Sequence, residues 1–131
     1  MQYAFAAHEI NFRDWKQAGY PGIPEKGRDF LRNLDAPTFS PPLWRHQAES
    51  IRRIIYAFEV LGMKDVLTNV VTGGGKTVII GGVIAYMTQV HGINQHLVLV
   101  PNTIVRERLL DALRFERASV RLLRVPILFR R

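Results

Sequence analysis

VLTNVVTGGGKT, residues 66–77, passes from six residues rich in β-branched side chains into three consecutive glycines, then a lysine and a threonine. Val66–Val71 has the composition of a short buried strand. Glycines at 73, 74 and 75 let the chain turn tightly with no Cβ atoms in the way. A helix is expected from Gly75 to His91, with Gly92 as its stop. A strand, a glycine turn and a helix N-terminus together make a concave set of backbone N–H donors suited to phosphate. Lys76 adds a cation that can reach β- and γ-phosphates, and the Thr77 hydroxyl can join the shell of a Mg²⁺ ion. Thr72 through Thr77 are therefore the candidate nucleotide-binding residues, with a nucleoside triphosphate and Mg²⁺ as the ligands and Thr77 as the metal contact. At ordinary residue usage a TG followed by GK[ST] at this spacing arises by chance in roughly one chain in two thousand of this length.

Working outward, Leu97–Val100 is a second apolar run closed by Pro101, and Thr103–Leu113 reads as a further helix. Upstream, Ser40 can cap a helix that starts with Pro41 and Pro42. Trp44, Ala48, Ile51, Ile55 and Phe58 then recur at helical spacing, and Gly62 ends that helix. The order is helix, strand, glycine loop, helix, strand, helix. Two strands joined by a helix imply a parallel pair with a right-handed crossover, the opening of an incomplete α/β sheet. Residues 1–39 are rich in proline and aromatic residues, with short helical turns expected at Asn11–Ala18 and Arg28–Leu34. The aromatics Phe12, Trp15, Tyr20, Phe30 and Phe39 suggest a segment that packs on something.

The 131 residues allow one domain with a core, and 47% hydrophobic against 22% charged residues is ordinary for a globular protein. Cysteine is absent, which removes disulfides, thiolate metal sites and cysteine nucleophiles together. With no secretory signal in MQYAFAAHEI and no membrane span in Thr77–Val105, a cytoplasmic location is expected. His91 and His96 flank a glycine turn without neighbouring carboxylates, a poor metal site. The net charge of +7 is uneven: residues 1–105 carry +2 and residues 106–131 carry +5. A basic tail over residues 114–131 fits either a nucleic-acid footprint or a solvated end.

TGGGKT, with Val70 where the general pattern has glycine, resembles the Walker A loop of superfamily 2 helicases and translocases. LWRHQAESI (residues 43–51) is similar to the segment in which that family reads the adenine edge with a glutamine, and Gln47 matches it. On its residues alone, Gln47 is a helix amide that water could serve equally well. LVLVPNTIVRERLL (residues 97–110) resembles the family's motif Ia, with the wording around Pro101-Asn102-Thr103 closest to the restriction subunit of type III restriction enzymes. The sequence departs from the family at Arg108, where glutamine is common.

The resemblance implies a RecA-like P-loop fold over residues 40–113 and an ATP-binding first part of a DNA-dependent ATPase. It also implies contacts to double-stranded DNA through Pro101, Thr103 and Arg106, and a modification or specificity subunit as partner. Phosphoryl transfer needs an acid at a strand end to hold the metal shell and orient water. No Asp or Glu lies between Asp65 and Glu107. The expectation is thus the start of a motor domain, as a natural short chain or a truncated one. The alternative is a small basic module that binds nucleotide or nucleic acid without turnover.

Overall fold

Phe12 and Trp15 are three residues apart on α1 (Gln2–Gln17), and both are buried. The computed structural model describes residues 2–36, 42–99 and 107. α1 is far longer than the expected turn at Asn11–Ala18. It ends in a Schellman arrangement: the Gly19 N–H donates to Lys16 O at 3.2 Å and the Tyr20 N–H to Trp15 O at 3.1 Å. Gly19 takes the left-handed conformation this requires, φ +79°, and Tyr20 follows it at φ +65°, a costly angle for an aromatic residue. Packing offsets that cost, because the Tyr20 ring meets Trp15 edge-on at 4.9 Å and is itself buried.

α2 (Glu25–Asn33) buries Leu31, and α3 (Arg45–Glu59) buries Ala48, Ile51, Ile55 and Tyr56. Tyr56 joins the aromatic cluster, 4.9 Å from Trp15 and 5.5 Å from Phe12. Trp15 Nε1 donates to Pro21 O at 3.0 Å, so the one polar atom of the indole is satisfied. Arg52 of α3 is only 4% exposed. It donates to Leu31 O and to both carboxylate oxygens of Asp35, tying α3 to the end of α2. Burial works against its charge, but the hydrogen bonds and charge interactions with Asp35 and Tyr20 together outweigh it, so its pKa stands above the ordinary guanidinium value.

A second polar seam joins α1 to α3. Arg53 grips Glu9 with two bonds of 2.7 and 2.8 Å and lies over the Phe12 ring at 4.3 Å, while Lys16 pairs with Glu49 at 2.9 Å. The hydrogen bond from Arg53 holds the Glu9 carboxyl below its ordinary value. A lowered folded-state pKa gives stability that is present above the unfolded value and lost as the pH falls through the folded one. Glu9 is largely exposed, so the contribution is small, about 0.2–1 kcal/mol. Urea denaturation should therefore find Glu9→Gln less stable than wild type at pH 7, with the gap closing by pH 3. A gap of equal size at both pH values would contradict the pairing.

The chain divides into two compact units, Met1–Val70 and Val71–Arg131. α3 thus falls in the unit that holds α1 and α2. The second unit contains α4 (Lys76–His91), which carries no charged residue from Val78 to Val90 and buries Ile79, Gly81, Ile84, Tyr86 and Thr88. Those positions fall on more than one face, while Ile80 between them is exposed.

The expected α/β fold, the start of a RecA-like parallel sheet, is not what the chain adopts. Among the described residues there are helices and no strand. Residues 66–71 run without a ladder partner, and the side chains meant for burial are open: Leu67 is 98% and Val71 77% exposed. Leu97–Leu99 is likewise outside any strand, with Leu97 and Leu99 exposed. The physical reason is that β propensity is a property of a packed, paired surface, and a parallel pair needs cover on both faces. Two short runs supply neither the extra strands nor the cover. The expected helix at Thr103–Leu113 lies outside the described residues apart from Glu107.

Candidate functional site

The glycine loop is organised by one turn and one helix start. The Gly74 N–H donates to Val71 O at 3.0 Å, closing a four-residue turn with Gly73 in its third position. Gly73 has φ +81°, the angle a type II turn demands there and a side chain resists. A Cβ placed on Gly73 would meet nothing within 4 Å, so that side of the loop is open. Gly75 is again left-handed, φ +75°, and stands as the N-cap of α4. Its carbonyl accepts from the Val78 N–H at 3.0 Å and the Ile79 N–H at 3.3 Å, which turns the backbone into the helix.

The amides of Lys76 and Thr77 belong to the first turn, whose N–H groups have no intrahelical acceptor. They stand at the positive end of a 16-residue helix. Lys76 is exposed at this end and has no ion-pair partner among the described residues, while Thr77 is half-buried beside it. Thr72–Thr77 therefore gather donors, a dipole and one cation in a single turn. The arrangement favours an anion with several oxygens.

The other expected site residues divide into two groups. Gln47 belongs to the first unit, where it is only 6% exposed and its Oε1 accepts from the Trp44 N–H at 2.9 Å. Pro101, Thr103 and Arg106, the expected nucleic-acid contacts, lie outside the described residues. One participant escaped the sequence reading. The Val71 carbonyl closes the turn, and the only signal for it is a glycine two positions later. The histidines serve local structure: His91 meets Tyr86 edge-on at 5.8 Å, and His96 Nε2 lies 2.9 Å from Ile93 O. Among the described residues no group of three or more His, Asp or Glu is placed to hold a metal ion, and no helix is long and apolar enough to cross a membrane.

A glycine turn feeding a helix N-terminus with a lysine beside it is an arrangement that suits phosphate. The family model described as type III restriction enzyme, res subunit, matches residues 40–120. That span holds both the loop and α3 and is more than half of the chain, so the chain belongs to this family of helicase-like proteins. No curated protein and no solved structure matches it.

Proposed function

We propose that Thr72–Thr77 bind the triphosphate of ATP with Mg²⁺, and that the chain is the nucleotide-binding part of a DNA-acting motor of the restriction type. The observation that carries this reading is the left-handed pair Gly73 and Gly75 leading into the N-terminus of α4, with Lys76 exposed beside it. Backbone amides hold the phosphate oxygens, Lys76 neutralises the β- and γ-phosphates, and the Thr77 hydroxyl offers one oxygen to the metal shell. The open side of Gly73 gives the phosphates room. Double-stranded DNA, reached through Pro101, Thr103 and Arg106, and a modification subunit are the partners that family membership supports. Cleavage of ATP is a separate matter. With no carboxylate between Asp65 and Glu107, these residues bind nucleotide without orienting water for attack. That sequence gap favours the second reading, a basic nucleotide- or nucleic-acid-binding module without turnover, for this chain taken alone.

Calorimetry on the full chain tests the phosphate reading. Mg-ATP should bind and AMP should not, because the loop meets only the outer phosphates. Equal heat and affinity for both would mean that the loop does not hold the triphosphate.

A further inference from the structure

We infer that Thr88, Ile93 and His96 form a clasp at the end of α4 that holds the His96 ring as its Nε2–H tautomer, and that His96 is through it a positioning residue for the DNA contacts that follow in sequence. The second half rests on the reading of Pro101, Thr103 and Arg106 as those contacts.

α4 ends at Gly92, whose left-handed backbone has φ +67°. The Gly92 N–H donates to Thr88 O at 3.0 Å and the Ile93 N–H to Met87 O at 3.2 Å, which reverses the chain. Thr88 is 8% exposed on a stretch with no charged residue from Val78 to Val90, so its hydroxyl needs a partner within the unit. A helical threonine often turns its hydroxyl back to the carbonyl four residues earlier. Here it donates forward, to Ile93 O at 2.8 Å.

The His96 ring closes the triangle, with Nε2 2.9 Å from Ile93 O and 3.1 Å from Thr88 Oγ1. A carbonyl oxygen can only accept, and the one Thr88 proton is already given to it. Nε2 therefore carries a hydrogen, shared between Ile93 O and Thr88 Oγ1, and Nδ1 is the acceptor nitrogen of the neutral ring. With the proton on Nδ1 instead, a bare lone pair would face the carbonyl. The clasp thus tethers the chain at His96 and not only at Gly92. Pro101, Thr103 and Arg106 come five, seven and ten residues after that tether. Fewer free residues ahead of a contact leave less chain to order on binding.

The test uses the full chain, with ¹⁵N in its histidine rings, as wild type, Thr88→Val, Thr88→Ser and His96→Phe. Above neutrality the His96 Nε2 signal, assigned by its absence from His96→Phe, should be that of a protonated ring nitrogen and Nδ1 that of a bare one. A bare Nε2 overturns the clasp. Thr88→Val and His96→Phe should bind a short double-stranded DNA about three- to tenfold more weakly at one fixed salt concentration, since only the tethered fraction is competent. Thr88→Ser keeps the hydroxyl and should bind within about twofold of wild type. His96 is only half-buried, so His96→Phe keeps the fold and decides the matter where Thr88→Val does not. A His96→Phe affinity for DNA equal to wild type overturns the positioning role. If the wild type binds no DNA, the reading of Pro101, Thr103 and Arg106 fails and the positioning role with it, while the ring signals still decide the clasp.

Discussion

Trp15→Ala should unfold the first unit at ordinary temperatures. The indole is 6% exposed and touches Phe12, Tyr20 and Tyr56, with ring centroids 4.9–5.9 Å away. Truncating a buried aromatic to alanine costs about 3–5 kcal/mol, from lost burial plus the cavity left behind. Two further losses are specific to this site. Pro21 O loses the donor at 3.0 Å, and Tyr20 loses the partner that offsets its left-handed backbone. A small helical unit has a total stability of about 5 kcal/mol at the low end of the usual range. The substitution should therefore remove most of it. Circular dichroism should show the helical signal of α1 to α3 lost or melting far below wild type. A melt within a few degrees of wild type would mean that this cluster is not the core.

Lys76→Ala carries the second large effect, and on a different observable. Lys76 is exposed and unpaired among the described residues, so folding should be unchanged. A charge-assisted contact to phosphate contributes about 1.5–3 kcal/mol, which is a roughly 10- to 150-fold loss of Mg-ATP affinity. Equal affinity in the two proteins, with equal melting curves, would remove the lysine from the site.

How much of this was legible in the residues varies by element, for physical reasons. α4 was legible almost to the residue, because left-handed glycines at 75 and 92 bracket it and leave a helix little freedom to slide. The inner face of α3 was legible from spacing: Ala48, Ile51 and Ile55 are buried as their period predicts. Trp44 is not, because it precedes the helix as its cap and stands 58% exposed. α1 was hidden, since its stability comes from Tyr56, Arg53 and Glu49, which lie more than thirty positions away in sequence. The misread strands show the converse. Val66–Val71 has the residues of a strand, but a strand is a relation between two backbones, and no single run encodes its partner. Residue types indicated the glycine loop, whereas the bond from the Trp44 N–H to Gln47 Oε1 at the start of α3 had no signal in them.

The most direct test of the central claim, that Thr72–Thr77 hold the triphosphate, is an amide shift map of the ¹⁵N-labelled full chain. Mg-ATP and inorganic tripolyphosphate should each move the amide signals of Gly73 to Val78 most, in the same direction, and leave those of α1 and α2 in place. If the largest shifts fall instead among the arginines of residues 106–131, with Gly73 to Val78 unmoved, nucleotide is held by bulk positive charge and the glycine loop is not its site.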